Sequence, residues 1–280
     1  MKPVNALWAA LVLLAALTSA CSQRGSDTID IATTTSVVNS GLMNVLLPLF
    51  EKETGLTVRV QAAGSGRALV MLEDGTVDLV ISHAPQAESR MLAAHPDWRY
   101  QKIATNRFVV VGPSSDPALV REASDVVDAF ARVAKSRSSF LSRGDGSGTH
   151  EREAELWAAA KIMPESSRLL VSGAGMGATL RQADAQSAYT LSDEATFMQL
   201  RNGLALEPLL TNGPRLVNSY AVVFQPVSRS AQRFAACLIE GGGREAIAAY
   251  TIGGTRPFEV WPAGCPGSHP TAVLCEAGRP

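Results

Sequence analysis

Apolar residues recur first with a strand period and then with a helix period along the first third of the chain. DTIDIATTTS predicts a short strand that runs into hydroxyl residues, and SGLMNVLLPLFEKETG predicts a helix that stops at Gly55. The apolar face of this predicted helix consists of Leu42, Val45, Leu46, Leu49 and Phe50. LTVRVQAA predicts a second strand, GSGRALVMLEDG a short helix, and VDLVISH a third strand of the kind buried in parallel sheets. This β-α-β-α-β order over residues 28–83 predicts an α/β fold with right-handed crossovers.

Two strands of similar character bracket the middle of the chain. NRFVVVGP occupies residues 106–113 and NSYAVVFQP occupies residues 218–226. Alternating helices and strands are predicted between them, and a pair of helices follows the second strand. We therefore predict a two-lobed α/β fold of mixed, mostly parallel sheets with helices on both faces and a ligand cleft between the lobes. The predicted segments are lobe 1 at 28–107 and 219–261, lobe 2 at 108–218, and a C-terminal tail at 262–280.

The N-terminal segment, residues 1–20, predicts a signal peptide. ALWAALVLLAAL is an unbroken apolar run that is too short to span a bilayer. It ends in TSAC, which is similar to a bacterial lipoprotein cleavage box with Cys21 as the lipidated residue, although Thr18 stands where such boxes usually carry Leu. An ordinary signal peptide cut nearby is the alternative. Both interpretations predict a periplasmic or extracytoplasmic protein, with residues 21–27 as a tether.

The remaining cysteines fit an exported protein. Cys265 and Cys275 flank PGSHPTAVL in a Pro- and Gly-rich tail, which predicts a local disulfide, while a bridge between Cys237 and Cys265 stays open as an alternative. Cys237 falls on the apolar face of a predicted helix, where we expect a buried, inert thiol. No Cys or His spacing indicates zinc. We expect the four scattered histidines to be incidental; they are His83, His95, His150 and His269.

The composition is that of a globular chain without an affinity for polyanions. Hydrophobic residues make up 46% and charged residues 18% of the chain, and its formal net charge is −1. Such a balance gives no bulk electrostatic reason to bind nucleic acid or an anionic membrane. An anionic ligand would therefore have to be held by local groups.

Four loops rich in Ser, Thr and Gly each follow a predicted strand and precede a predicted helix. They are ATTTSVVNSG, AAGSGRAL, SRGDGSGTHERE and SGAGMGATL. Helix N-termini attract anions through unpaired N–H groups, hydroxyls add donors, and glycine allows close approach. Ordinary N-capping explains each loop taken singly. However, TTTS is a weak helix start because of its β-branched residues, and Arg143 adds a fork of donors that a cap does not need. Together the loops predict a site for one small anion.

The third of these loops does not match a catalytic motif. GDGSGTH is not a GxSxG elbow, it lacks the Lys of a phosphate-binding GxxxxGK[ST] loop, and no acid and His follow at informative spacings. Asp145 is a conceivable general base, but beside Arg143 it more simply orients the arginine or caps the helix. We therefore expect a binding protein and not an enzyme, with a secreted lipoprotein hydrolase or adhesin as the alternative from another class.

The chain resembles the periplasmic tungstate-binding proteins of ABC transporters, within the type II periplasmic-binding family. The resemblance runs from ATTTSVVNSGLMNVLLPLFEKETGLTVRV through GSGRALVMLEDGTVDLVISHAPQAE, NRFVVVGP, FLSRGDGSGTHERE and GAGMGATL to AYTLSDEATF. It implies a tungstate or molybdate oxyanion held without metal, cofactor or covalent chemistry, and delivery to an ABC permease in the cytoplasmic membrane. It places ligand contacts on Thr33, Thr34, Thr35, Ser36, Ser65, Arg143, Ser147, Gly148, Thr149, Met176 and Gly177. The tail after residue 261 departs from the family pattern.

A phosphate-binding protein is the alternative within the same class. Phosphate-binding relatives carry a stretch similar to Arg143–Thr149. Phosphate keeps a proton near neutral pH and so needs a carboxylate acceptor, which Asp145 could supply, whereas tungstate and molybdate are fully deprotonated and need donors only. The TTTS and HAPQAE segments favour tungstate over phosphate. The sequence does not distinguish tungstate from molybdate or vanadate. We expect a monomer, no nucleic-acid partner, and tungstate affinity that is nearly constant across mildly alkaline pH.

Overall fold

The computed structural model describes residues 28–275 of the chain. The predicted signal peptide, the tether and the lipid site at Cys21 therefore lie outside the described residues. Within residues 28–275, every helix is too short or too polar to cross a bilayer.

Ten strands and ten α-helices form the described part of the chain. The strands are β1 Thr28–Thr33, β2 Thr57–Ala62, β3 Leu79–Ser82, β4 Arg99–Pro113, β5 Phe140–Ser142, β6 Leu169–Val171, β7 Thr190–Asp193, β8 Leu206–Leu210, β9 Val217–Phe224 and β10 Glu259–Val260. The helices are α1 Thr35–Asn39, α2 Met43–Thr54, α3 Ser65–Glu73, α4 Pro85–Ala94, α5 Val126–Lys135, α6 Gly148–Ala160, α7 Met176–Ala185, α8 Glu194–Leu200, α9 Arg229–Ile239 and α10 Gly242–Ala249.

The first sheet follows the predicted order at its start and then becomes antiparallel. Its strand order is β10-β4-β9-β3-β1-β2, and β1 pairs in parallel with both β2 and β3. The pairs of β9 with β3 and with β4 are antiparallel, as is the pair of β4 with β10. The sheet is therefore mixed, as predicted, but antiparallel pairs are more prominent than expected, because β9 runs opposite to both of its neighbours, β3 and β4.

Strand β4 connects the two halves of the molecule. Its first part, from Arg99 to Arg107, pairs with β9, and its second part, from Phe108 to Pro113, pairs with β7 and β8. The parallel pair β5–β6 joins the second half through a bridge between Phe140 and Tyr189. The crossing strand predicted from residue 106 begins at Arg99, because polar residues at its start are covered by other parts of the chain.

Two sets of buried side chains give each half its own core. We call the half around Phe50 and Phe234, whose rings meet edge to face at 4.7 Å, lobe 1. We call the half around Phe130, Phe140 and Trp157 lobe 2; the Phe130 and Trp157 rings lie 4.4 Å apart. The residue bounds of the lobes stay a prediction.

Some local predictions need correction. Val45 is 41% exposed, because Met43 takes the inward position on α2 that the pattern gave to Val45. Helix α4 was not predicted, although it begins with a proline at its first position, where the missing N–H costs nothing. Strand β8 was not predicted either, since its Pro208 argues against a strand.

The C-terminal tail is fastened to β4. Cys265 and Cys275 form a disulfide with Cα atoms 5.5 Å apart, and Cys237 is a free thiol. The main-chain N–H of Lys102 donates to Gly267 at 2.8 Å, and its ammonium group donates to the carbonyl of Ala272. The expectation of a buried Cys237 is wrong in degree, because this thiol is only partly buried at the edge of α9.

Candidate functional site

The four Ser/Thr/Gly loops all connect a strand to a helix, and they meet in two pairs. They link β1 to α1, β2 to α3, β5 to α6 and β6 to α7. A Cβ added to Gly64 in the second loop would lie 3.5 Å from Cα of Ser147 in the third. A Cβ added to Gly175 in the fourth loop would lie 3.2 Å from Oγ1 of Thr35 in the first. Both contacts cross from lobe 1 to lobe 2, so the helix N-termini of both lobes face one another.

His83, which follows β3, joins the two pairs of loops. Its main-chain N–H donates to Oγ of Ser65 at 3.2 Å, and its ring Nε2 lies 3.5 Å from Oγ of Ser36. A Cβ on Gly148 would lie 2.2 Å from the carbonyl oxygen of His83, so only glycine fits at the start of α6. The first three loops therefore converge on this histidine.

Arg143 is a buried cation with unused donor capacity. Its side chain is 1% exposed, and a guanidinium removed from water requires a negative partner. One terminal nitrogen donates to Oδ2 of Asp145, while Nε has no hydrogen-bond partner among the described residues. Two hydrogen bonds hold the main chain of Arg143. Its N–H donates to Oε2 of Glu153 at 3.1 Å, and its carbonyl oxygen accepts the N–H of Gly173 at 3.0 Å. The position of Arg143 is therefore fixed, and its Nε–H remains available to donate to a ligand.

Both carboxylate oxygens of Asp145 are engaged by donors of the chain. Its Oδ2 accepts from Arg143, and its Oδ1 accepts the main-chain N–H of Ser147 at 3.1 Å. The carboxylate thus orients the arginine and the start of α6, as the simpler sequence interpretation holds. Each oxygen keeps one further lone pair, so the two bonds do not by themselves decide between a hydrogen phosphate and a fully deprotonated oxyanion.

Two predicted hydroxyls are buried with protons left to donate. Ser65 and Thr149 are both fully buried, and a buried hydroxyl without a partner costs about 1–3 kcal/mol. Oγ of Ser65 accepts from His83, which leaves its own proton without an acceptor among the bonds of the described chain. Oγ1 of Thr149 has no partner in residues 28–275. Both groups are suited to donate to an anion.

The TTTS run caps a helix and also supplies buried hydroxyls. Oγ1 of Thr34 accepts the N–H of Val37 at 3.3 Å, which is an N-cap bond, so the expectation that the run is a weak cap is wrong. Oγ of Ser36 lies 2.8 Å from Oγ1 of Thr34, and both side chains are 1% exposed. Thr33 is buried and its Oγ1 has no hydrogen-bond partner in the part of the chain that the structure describes, whereas Thr35 is partly exposed and packs on Gly175.

Of the four described helices that follow these loops, two begin without a side-chain cap. The caps of α3 and α7 are Gly64 and Gly175, and neither helix start receives a side-chain hydrogen bond. Met176 and Gly177, at the start of α7, are buried. In α6, Ser147 accepts the N–H of His150 at 3.3 Å. Uncapped N–H groups at the positive end of a helix are natural anion donors.

Sequence reasoning missed His83, which is 2% exposed. Its Nδ1 lies 2.9 Å from Oδ1 of Asn218, and its ring stacks on Tyr220 with centroids 5.1 Å apart. Burial lowers the pKa of His83 to about 4, and the nearby Arg143 charge lowers it as well, so the ring is neutral at pH 7. No spacing in the sequence marks this residue; the only signal is its place in the HAPQAE segment.

Asp193 was also missed. It is fully buried at the end of β7, where Oδ1 accepts the N–H of Thr196 at 2.9 Å and Oδ2 has no partner among the described residues. Burial raises the pKa of Asp193, against the opposing effects of the Thr196 hydrogen bonds and the Arg143 charge. Oγ1 of Thr196 donates to the carbonyl of Ser36 at 3.3 Å, which ties α8 to the first loop.

The arrangement favours binding over catalysis. Ser36, His83 and Asn218 follow the order of a nucleophile, a base and an orienting residue. However, the 3.5 Å between Ser36 and His83 is longer than a productive hydrogen bond, and both side chains are buried. Residues 28–275 contain no group of three or more His, Cys, Asp or Glu side chains placed to hold a metal ion. The site offers mainly donors, which suits an oxyanion.

Comparison with known proteins gives similarity over most of the chain. Residues 18–239 match the model of a PBP superfamily domain. The chain is 34% identical over 236 residues to the tungstate-binding protein TupA of Peptoclostridium acidaminophilum, covering 80% of this chain and 82% of that protein. It is 34% identical to the solved tungstate ABC transporter protein of Geobacter sulfurreducens, with a TM-score of 0.72 and coverage of 80% of this chain and 98% of the other. It is 30% identical to TupA of Desulfovibrio alaskensis G20, with a TM-score of 0.69 and coverage of 83% and 98%.

Proposed function

The chain belongs to the PBP superfamily, and on this premise we propose that it captures tungstate outside the cytoplasm and delivers it to an ABC permease. It is a solute-binding protein and not an enzyme. Its mixed α/β architecture is the two-lobed type II periplasmic-binding fold, so the predicted fold class is confirmed. A chain of nearly neutral net charge can hold a dianion in such a fold, because the charge is met by donors within the cleft.

The observation that carries the proposal is the buried, partly unpaired cation. Arg143 is 1% exposed and its Nε lacks a partner in the described chain, as does Oγ1 of Thr149 at the start of α6. A small anion that accepts hydrogen bonds satisfies both groups at once. The groups left to pair at this point are donors, and Asp145 is engaged with Arg143 and the start of α6, which favours a fully deprotonated oxyanion over hydrogen phosphate.

The finer assignments extend this proposal. The contacts are the TTTS hydroxyls, Ser65, Arg143, the start of α6 at Ser147, Gly148 and Thr149, and the start of α7 at Met176 and Gly177. Molybdate is a second ligand of the same charge and shape. The protein acts as a monomer, and a lipid on Cys21 anchors it to the membrane. The lobes are bounded at 28–107 with 219–261 and at 108–218.

Calorimetric titration of the purified mature protein tests the ligand. Tungstate, molybdate, vanadate, sulfate and phosphate are compared at one pH and ionic strength. We expect tungstate and molybdate to bind tightly and phosphate to bind weakly. Phosphate binding tighter than tungstate binding would establish the phosphate alternative. The hydrolase alternative predicts no oxyanion binding, together with ester hydrolysis that is lost in Ser36→Ala.

A further inference from the structure

With the amides of Asn106 and Asn218 oriented as they are here, the hydrogen bonds around His83 assign its proton to Nδ1. Nδ2 of Asn218 donates to Oδ1 of Asn106 at 2.8 Å and to the Tyr220 hydroxyl at 3.0 Å. The other amide atom, Oδ1 of Asn218, can only accept, so Nδ1 of His83 must be the donor across their 2.9 Å contact. A neutral imidazole with its proton on Nδ1 has a bare Nε2.

This bare Nε2 is directed at the hydroxyls that the site needs as donors. It lies 3.5 Å from Oγ of Ser36, which lies 2.8 Å from Oγ1 of Thr34. Either hydroxyl of the Thr34–Ser36 pair can donate to the other, and Ser36 also interacts with the Tyr220 hydroxyl; since Nε2 is bare, any hydrogen bond across the long 3.5 Å contact is donated by Ser36. An anion that takes these protons must draw them away from the histidine. It then leaves a buried lone pair unpaired beside a negative charge.

We propose that His83 positions the Ser36 and Thr34 hydroxyls and takes up a proton at Nε2 when the oxyanion binds. The new Nε2–H donates to Oγ of Ser36, and the protons of both hydroxyls then turn to the anion. The proton comes from the solvent, and no covalent bond to the ligand forms. This inference deepens the proposed function, since the anion supplies the charge that holds the proton.

The surroundings of His83 explain why its ring is neutral before the anion binds. Burial is the main cause that lowers the pKa of His83, and the charges of Arg143 and Arg152 lower it further, whereas the Asn218 hydrogen bond and the Asp145 charge raise it. The N-terminus of α6 adds positive potential, because a Cβ on Gly148 would lie 2.7 Å from Nδ1. The neighbouring Tyr220 ring is neutral, since burial raises the pKa of its hydroxyl. Glu151 and Glu155 line the same small cavity as His83 on its other side. A bound dianion favours the imidazolium and so raises the pKa of the ring.

Proton uptake can be measured directly. Tungstate is titrated into the protein at pH 7 and pH 8 in two buffers with different heats of ionisation, and the difference in binding enthalpy gives the number of protons taken up. Neutral donors alone predict the nearly constant affinity expected from the sequence, whereas a proton taken up by His83 predicts a pH dependence. For the wild type we therefore expect uptake of up to one proton and affinity that falls with rising pH, by at most tenfold per pH unit. His83→Gln places an amide N–H near the position of Nε2, so we expect no uptake and affinity independent of pH.

A matched control and a second variant keep the inference testable. His95→Gln removes a histidine that stacks on Trp98 beside Glu73, outside the site, and should leave the uptake unchanged. Asn218→Asp keeps His83 and places a negative charge at Nδ1, so the ring is protonated earlier and the uptake on binding falls. If His83→Gln does not fold, Asn218→Asp provides the test: unchanged proton uptake in this variant would overturn the inference.

The failure of this inference differs from the failure of the proposed function. Wild-type protein that binds tungstate with the same enthalpy in both buffers overturns the proton uptake and leaves the function standing. Uptake that persists in His83→Gln assigns the proton to another group and also overturns it. If neither tungstate nor molybdate binds the wild type, the proposed function itself falls, and this inference falls with it.

Discussion

Replacing Arg143 is the most direct test of the site. Arg143→Ala removes the only arginine among the proposed contacts and the buried Nε that has no partner within residues 28–275. It also leaves the carboxylate of Asp145 without its counter-ion beside a bound dianion. Both effects weaken binding.

The expected loss follows from the hydrogen bonds that the guanidinium can make. One of its terminal nitrogens is committed to Asp145, which leaves Nε and at least one more N–H for the ligand. Hydrogen bonds to a charged group contribute at least about 1.5 kcal/mol each, so two of them amount to about 3 kcal/mol. At 1.4 kcal/mol per factor of ten, the dissociation constant should rise by at least about 100-fold. Arg143→Lys should recover only part of this, because an ammonium keeps the charge but loses the fork.

Calorimetric titration with tungstate measures this loss, and circular dichroism verifies the fold. Adding Asp145→Asn to Arg143→Ala should restore part of the affinity by removing the unpaired carboxylate. Arg132→Ala is the matched control, because Arg132 lies in lobe 2 and pairs with Asp128 on α5. It makes the same charge change and should leave affinity unaltered. A folded Arg143→Ala protein that binds tungstate as tightly as the wild type would refute the assignment of Arg143 to the site.

Four further predictions follow from the same contacts. Tungstate should raise the melting temperature, with a gain of about 4 kcal/mol at a thousandfold excess over Kd; a melting curve unmoved by millimolar tungstate and molybdate contradicts binding. Ser65→Ala and Thr149→Val should each weaken tungstate binding by about tenfold in calorimetry, while Ser89→Ala on α4 should not. Asp193→Asn should keep or tighten tungstate binding, since it removes a negative charge near Arg143; a tenfold loss would show that the carboxylate helps to hold the ligand. Without ligand, the stability of the wild type relative to His83→Gln should fall by about 3 kcal/mol as pH drops from about 6.5 to 4, because burial lowers the pKa of His83 to about 4 and the unfolded state takes up the proton first. Urea unfolding of both proteins measures this difference, in which the opposing contributions of the buried carboxyl groups of Glu88, Glu153 and Asp193 cancel.

The sequence predicts the architecture well where the spacing of apolar residues along a segment shows which face of that segment is buried. The parallel strands β1, β2 and β3 and the helices between them follow from alternation and helical spacing, because each element buries one continuous face. The start of β4 does not follow in this way. Lys102 is polar, yet it is 4% exposed because Trp261 and the carbonyl of Ala272 cover it. A contact between residues 170 positions apart leaves no local signature.

The residues of the candidate site also differ in whether the local sequence identifies them. The four loops carry their signal locally, since hydroxyls, glycines and an arginine at the end of a strand indicate anion binding without any knowledge of the fold. His83 and Asp193 carry no such signal. Their roles arise from partners far away in sequence, namely Asn218 for the histidine and the Arg143 charge for the aspartate. A single histidine or aspartate becomes recognisable only when the fold brings its partners to it.

The unpaired groups around Arg143 also indicate how the protein separates a dianion from other solutes. Nε of Arg143 and Oγ1 of Thr149 are buried without partners in the described chain, and each such group costs free energy in the folded protein. A ligand that accepts from both recovers this cost, whereas a neutral or cationic solute does not. Oδ2 of Asp193 has the opposite character, since it is a buried acceptor that an anion cannot satisfy. A carboxylate at Asp193 opposes a dianion twice as strongly as a monoanion in the same position, because the Coulomb energy is proportional to the charge of the ligand. Asp193→Asn should therefore tighten tungstate binding more than it tightens the binding of a monoanion, and a ratio of the two affinities that shifts towards the monoanion would contradict this role.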